Sequence, residues 1–279
     1  METNNIVFME RIEISLKDFI LISKYIYDNT GIVLAQHKIT LVKTRLQKRL
    51  FELNISSFND YYEYLCSHNQ EYKHLVNEIS TNVTSFFREE SQWEFLKYEM
   101  SNIRKKLKDN KLRIWSAACS TGEEPYTVAM FLKEELTNFY DFDIKILATD
   151  ISHSVLSKAS KGIYSHESIT DLPKHRVFGN FTKLGRGSTY QINDELSQLI
   201  MFREFNLVYG DYSLFKSVKF DIIFIRNVMI YFDNDTNKNV IQNLVKKLNK
   251  GGYLFIGHSE SLLSHDGLNY IAPSIYKKI

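Results

Sequence analysis

From about residue 110 the chain repeats one pattern, a short apolar run followed by a segment long enough for a helix. The runs are "KLRIWSAA", "DIKILATD", "FNLVYGD", "KFDIIFIRN" and "GGYLFIGHS". Strands that are apolar along their whole length are buried on both faces, which a mostly parallel sheet covered by helices provides. The pattern therefore predicts an α/β, Rossmann-like domain over 110–279. One segment breaks the alternation: in "RVFGNFTKLGRGSTYQINDELSQLIMF", Gly185 and Gly187 stand between strand-like runs. A small antiparallel β insertion at about 173–202 is expected there.

Residues 1–80 follow a helical period instead. Ser15 and Asp18 form a capping-box pair, Leu16, Phe19, Ile20 and Ile26 make a stripe, and Gly31 can end the helix. Ile39, Val42, Leu46, Leu50 and Leu53 mark a second helix, and Ser57 with Asp60 opens a third. This predicts a small all-α N-terminal domain. The polar segment "STNVTS" and an amphipathic helix at about 89–108 form a linker and helix over 81–109.

Charge narrows the partners. With 35 basic and 33 acidic residues the net charge is +2, so no chain-wide field recruits nucleic acid or anionic lipid. No apolar run has the length of a membrane span, and "METNNIVFMERIEI" lacks the form of a secretory signal. A cytoplasmic protein without membrane insertion is expected. Cys66 and Cys119 lack metal-type spacing and read as free thiols, with no metal site.

The turn "WSAACSTGEEPY", residues 115–126, follows the leading strand of the α/β region, where ligands of open parallel sheets bind. Ala117, Ala118, Ser120 and Gly122 let backbone approach a ligand closely, and Pro125 suits the first turn of a helix. A dinucleotide would want several glycines, yet here one glycine precedes two acids that repel pyrophosphate. A ligand with a carboxylate for the helix end and cationic groups for the acids fits better. S-adenosylmethionine has all of these. "KILATD" ends on Asp150, placed to accept from both hydroxyls of a ribose or, equally, to cap the next helix. In "FDIIFIRNVMIYFD" a buried strand delivers Arg226, Asn227 and Tyr231 to the same edge. Prolines typical of base-amine methyltransferases are missing there. An arginine fork and a tyrosine suit an anionic acceptor, unless Arg226 pairs with a local acid.

Together these stretches resemble the chemotaxis receptor methyltransferases of the CheR family, over nearly the whole chain. The resemblance rests on "NVTSFFRE" (82–89), "SAACSTGEEPY" (116–126), "LATDIS" (147–152), "FNLVYGD" (205–211) and "RNVMIYFD" (226–233). It implies a class I methyltransferase domain, S-adenosylmethionine as donor with S-adenosylhomocysteine as product, and glutamate side chains of chemoreceptor cytoplasmic domains as acceptors. By position it gives Asn82, Thr84 and Arg88 to the cofactor from the linker, and Gly122 with Glu123 to its methionine end, Glu123 and Glu124 remaining alternatives for the direct contact. Asp150 takes the ribose, Asn206 and Leu207 the adenine side, and Arg226 with Asn227 the floor near the sulfonium. Arg88 and Tyr231, with Arg226, would carry the catalytic roles. Thr127 stands where relatives often have serine.

Between His37 and Leu50 lie Lys38, Lys43, Arg45, Lys48 and Arg49 and no acid. In the family such a helix meets acidic receptor helices, which makes these five the expected receptor-binding residues; a solvated face is the other meaning of such a run. A monomer is expected. The competing functions are a methyltransferase for another acceptor (a small acid, a protein amine or RNA) and a non-catalytic cofactor-binding adaptor.

Overall fold

The structure, a computed structural model, describes residues 12–262 and 266–279. The chain divides into two compact units, one ending at Ser80 and the other beginning at Thr81. The first contains helices α1 (Leu16–Thr30), α2 (Ile39–Glu52), α3 (Phe58–Ser67) and α4 (Glu71–Ile79). Ser15 starts α1 by accepting the Asp18 N–H (3.1 Å) and donating to its carboxylate (2.6 Å). Gly31 ends it at φ 75°, its N–H on the Tyr27 carbonyl. The apolar stripes meet in one core of Phe19, Ile22, Val42, Leu46, Leu50, Tyr61 and Leu65. Burying such side chains contributes about 1.5–3 kcal/mol each.

The second unit opens with α5 (Glu90–Lys106), followed by β1 (Lys111–Ser116), α6 (Glu123–Glu135), β2 (Asp143–Asp150) and α7 (His153–Lys161). Then come β3 (Ile163–Ser165), the short helices α8 (His166–Ile169) and α9 (Lys174–Asn180), β4 (Phe181–Leu184), β5 (Thr189–Ile192) and α10 (Asp194–Ser197). The rest is β6 (Ile200–Glu204), β7 (Phe220–Ile225), α11 (Asn234–Lys247), β8 (Leu248–Ile256), β9 (Leu268–Ala272) and β10 (Ile275–Lys278).

Seven strands form a mixed sheet in the order β6-β2-β1-β7-β8-β10-β9. The first five are parallel, and β10 runs antiparallel to both β8 and β9. Both faces are covered. Along β7, Ile222 and Phe224 pack into a core with residues of α5 and α6, whereas Ile223 and Ile225 join a second core with Val240, Ile241 and Leu244 of α11. That alternation is why the strand reads as continuously apolar.

Two readings of the sequence are corrected. "FNLVYGD" is a loop, and the edge strand of the parallel sheet is β6, just upstream, in a stretch assigned to the insertion. Asn206 makes the loop: its Oδ1 accepts the N–H groups of Val208 (2.9 Å) and Tyr209 (3.1 Å). The antiparallel insertion is a three-stranded sheet, β3-β5-β4, so it draws on Ile163–Ser165 ahead of the expected start. Gly185, at φ 56°, turns the β4–β5 hairpin.

From β1 the chain passes to β2 on one side and later returns to β7 on the other. Between the carboxyl ends of β1, β2 and β7 such a reversal opens a crevice, where ligands of α/β sheets bind.

Candidate active site

The turn after β1 is held from several sides. Its backbone donates to the carbonyls of Phe224 (Ala117 N, 2.8 Å) and Thr149 (Cys119 N, 2.8 Å), so it is stitched to both neighbouring strands. The Tyr164 hydroxyl donates to the Thr121 carbonyl (2.8 Å). Gly122 has φ 99°, and a Cβ there would lie 2.8 Å from the Tyr164 Oη and 2.9 Å from the Ala159 Cβ. Glycine is therefore required on two grounds, conformation and space. Ser120 is also left-handed, at φ 47°.

The two acids of the turn differ. Glu124 is buried and met on both oxygens: Ser116 Oγ donates to its Oε1 (2.6 Å), and its Oε2 is ion-paired with Arg226 Nε at 2.9 Å. Glu123, also buried, accepts from Thr121 Oγ1 at 2.6 Å. Burial raises the pKa of both; the Arg226 charge and the Ser116 hydroxyl oppose this at Glu124, and the Thr121 hydroxyl at Glu123. Thr127 has a use that a side-by-side comparison of residue types does not suggest: its hydroxyl donates to the Glu123 carbonyl (2.6 Å) and accepts the Phe87 N–H (3.1 Å).

Asp150 ends β2 within the crevice. Its two oxygens accept the N–H groups of Ser152 (3.0 Å) and Ser120 (2.9 Å), while the cap of α7 is Ser152, whose Oγ accepts from Val155. Burial raises its pKa against these backbone donors. A carboxylate has about four acceptor positions, so even with the Ile151 N–H as a third backbone donor there is room for a hydroxyl donor.

Arg226 is the residue whose setting departs most from the anion-fork reading. It is 7% exposed, ion-paired with Glu124, and donates from Nη1 to Gln92 Oε1 (3.1 Å). Its guanidinium also lies 5.8 Å from the Trp93 ring. A guanidinium so held is a buried cation that already faces a local acid, Glu124, and an amide oxygen, that of Gln92. Asn227, at φ 57°, turns its Nδ2 toward Glu89 Oε1 (3.4 Å). Tyr231 lies in a single 3-10 turn, Met229–Tyr231, and is half-buried. Arg88 is half-buried, and its Nη1 donates to the Val83 carbonyl (3.0 Å). Asn82 and Thr84 are half-buried, and the Asn82 carbonyl accepts from Ser120 Oγ (3.2 Å). Leu207 is buried, its carbonyl accepting from the Tyr212 hydroxyl (2.8 Å).

Glu260, Glu89 and Gln92 escaped the sequence reading. Glu260 accepts the N–H groups of Asn227 (3.1 Å), Met229 (2.8 Å) and Gly257 (2.6 Å). It thereby fixes the segments after β7 and β8 to each other. The only signal was an acid shortly after a buried strand, which is common.

The basic residues of α2 also part ways. Arg49 pairs with buried Glu71 (2.6 Å), which also accepts from the Tyr61 hydroxyl (3.0 Å), and Arg45 donates to the carbonyls of Ile79 and Ser80 (2.5 and 3.1 Å). Lys43 pairs with Glu13. Lys38 and Lys48 are exposed, Lys48 reaching Glu52 at 3.7 Å. Of the five expected receptor contacts, Lys38 and Lys48 are exposed, and Lys43, Arg45 and Arg49 are half-buried with partners in their own unit.

A groove of about 620 Å³ on the second unit is lined by Phe86, Phe87, Trp93, Phe131 and Arg176, and it borders the strand-end cluster through Trp93 and Phe87. No helix among the described residues is long and apolar enough to cross a membrane.

The chain is similar to known proteins over both units. Residues 82–276 match the family "CheR methyltransferase, SAM binding domain", and residues 17–80 match "CheR methyltransferase, all-alpha domain". A chemotaxis protein methyltransferase of Borreliella burgdorferi is 39% identical over the full length of both chains. Chemotaxis protein methyltransferase 2 of Pseudomonas aeruginosa is 40% identical, over 88% of this chain and 87% of its own. The chemotaxis protein methyltransferase of Escherichia coli is 38% identical over 90% and 87%. With both domains matched and identity sustained end to end, the chain belongs to the CheR family, the S-adenosylmethionine-dependent methyltransferases of chemotaxis.

Proposed function

We propose that the chain is a protein-glutamate O-methyltransferase that esterifies side-chain carboxylates on chemoreceptor cytoplasmic helices. The observation that carries this reading is the charge of the crevice. Glu123, Glu124 and Asp150 all act on buried Cys119, Glu89 acts on Glu124, and against these four stand Arg226, the one buried cation among the described residues and already paired with Glu124, and the half-buried Arg88. Such a site welcomes a ligand with ammonium and sulfonium groups and disfavours pyrophosphate. The cofactor fits the residues in a second way, since Asp150, whose donors among the described residues are backbone N–H groups, keeps acceptor capacity for ribose hydroxyls.

Gly122 and Glu123 would hold the methionine end, Glu123 being the acid with fewer internal partners. Asp150 would take the ribose, the Asn206–Leu207 backbone the adenine side, Arg226 and Asn227 the floor, and Asn82, Thr84 and Arg88 the approach from residues 81–109. S-adenosylmethionine supplies an electrophilic methyl group on a positively charged sulfur.

The chain's own work is then alignment. A glutamate acceptor has an unperturbed pKa of about 4.3 and is ionised at neutral pH, so no general base is needed. Orientation alone can account for roughly 7–11 kcal/mol of barrier. Charge disappears in the reaction, so a tight ion pair to the acceptor would oppose it. Arg88, partly open to solvent and held to the Val83 carbonyl, is suited to steering the carboxylate in, and Tyr231 to holding it as a neutral donor. Lys38 and Lys48, in the helical domain of residues 1–80, would meet acidic receptor helices. The product would be released into the cytoplasm.

The deciding experiment incubates the chain with methyl-labelled S-adenosylmethionine and receptor cytoplasmic fragments, then treats the protein with alkali. Label released as methanol is the expected result. Alkali-stable label would mean an amine or another acceptor, and no label would mean a cofactor-binding adaptor.

A further inference from the structure

Glu89 sits immediately before α5 in the left-handed conformation, φ 65°, unusual for a residue with a side chain. Its side chain is 7% exposed. Oε1 accepts the His258 N–H (3.0 Å) and faces Asn227 Nδ2 (3.4 Å). Oε2 is buried and meets no hydrogen-bond donor among the described residues. The nearest cation is Arg226, whose Nε is 3.8 Å away, but that charge is met more closely by Glu124 at 2.9 Å. His258 Nε2, half-exposed, lies 4.0 Å away and also touches Ser91 Oγ (3.2 Å). One guanidinium thus stands between two buried carboxylates, and the pair it cannot serve fully is the one nearer Asn227. An under-compensated buried carboxylate is costly, and a strained backbone position persists where the surroundings over-determine it; the two occur together at functional sites.

We infer that Glu89 is a positioning residue that orients Asn227 and supplies the charge by which the site distinguishes the cationic methyl donor from its uncharged thioether product. The inference rests on the reading that Arg226 and Asn227 flank the sulfonium. Donor and product share adenosine, ammonium and carboxylate, and differ by one methyl group and one positive charge at sulfur. A residue acting through charge changes the ratio of the two affinities. A residue acting only through shape weakens both alike.

The test is calorimetric titration of the full chain with S-adenosylmethionine and, separately, with S-adenosylhomocysteine. Glu89→Gln keeps the size of the side chain and removes the charge. It should weaken the donor about tenfold while weakening the product less than about threefold, the scale expected of one charge at partly screened range. Glu89→Asp keeps the charge and shortens the reach. It should weaken both ligands, with their ratio within about twofold of the unmodified protein. Equal weakening of both ligands by Glu89→Gln, or no change in either, overturns the inference. Should Glu89→Gln lose its far-ultraviolet dichroism, Glu89→Ala takes its place as the charge-removing variant: a loss for the donor at least about threefold larger than for the product supports the inference, and equal losses overturn it. Failure of the unmodified protein to bind either ligand would overturn the functional reading instead.

Discussion

On α2 and the residue before it five cations occur without an acid between them, and at the strand ends of the second unit four carboxylates gather, two of which, Glu89 and Glu124, flank one buried arginine. The first group is mostly consumed by its own unit: Arg49 serves Glu71, Arg45 serves helix-end carbonyls, and Lys43 serves Glu13. The second group stays in excess, with Glu89 Oε2 lacking a donor among the described residues. A run of like charge along the chain therefore says little about function, whereas like charge that folding brings together and leaves uncompensated marks a place built for something of opposite sign.

The sharpest way to break this contrast is at the two buried ion pairs. Arg226→Leu should cost about 3–5 kcal/mol in urea unfolding, because Glu124 is left charged and buried, and should abolish cofactor binding. Arg49→Leu should cost about 3 kcal/mol with cofactor affinity unchanged, since Glu71 is 2% exposed. A cost below about 1 kcal/mol for Arg49→Leu would return it to the class of surface charges.

Next in size is Gly122→Ala, which forces φ 99° on a residue with a Cβ and sets that atom against Tyr164 and Ala159. The expected cost is about 1–3 kcal/mol, with at least a tenfold loss of S-adenosylmethionine affinity by titration. Unchanged affinity would remove the turn from the site.

Acid sharpens the contrast further. Burial raises the pKa values of Glu123, Glu124 and Asp150. For a carboxyl group raised on folding, the stability gained is full below the unfolded pKa and lost as pH rises through the folded value. Mild acidification from neutral should thus favour the ligand-free fold through these groups while weakening the cationic cofactor. Melting curves with and without S-adenosylmethionine should converge as pH falls toward the ordinary carboxyl range; a constant gap would contradict the excess-charge account.

The smallest effect is expected at Lys38 and Lys48. Replacing both by glutamine should change stability by less than about 0.5 kcal/mol. In the proposed role it should raise the apparent KM for receptor at low salt, and no rise there would leave α2 without a partner surface.

Much of this was legible beforehand because it is local. Ser15, Gly31 and Ser57 act as the caps their types suggest, and the apolar runs at 111–116, 143–150 and 220–225 are strands. What was not legible depends on residues far apart. Nothing in "FNLVYGD" shows that Asn206 turns onto its own backbone, or that Ile200–Glu204 finds β2 as a partner. The C-terminal hairpin β9–β10, which completes the sheet, carries no alternation strong enough to announce it. Arg226 was placed at the right edge, but its employment by Glu124 and Gln92 needs α5, α6 and β7 together. Glu89, Gln92 and Glu260 are ordinary polar residues until their partners are seen.

Glu260 has a wider consequence. Because one carboxylate grips N–H groups on both sides of the β7–β8 boundary, the spacing from Gly257 to Glu260 behaves like a fixed gauge. Lengthening or shortening it by a residue would detach two strand ends in one step, so length variation in this part of the molecule is tolerable only where that grip is bypassed.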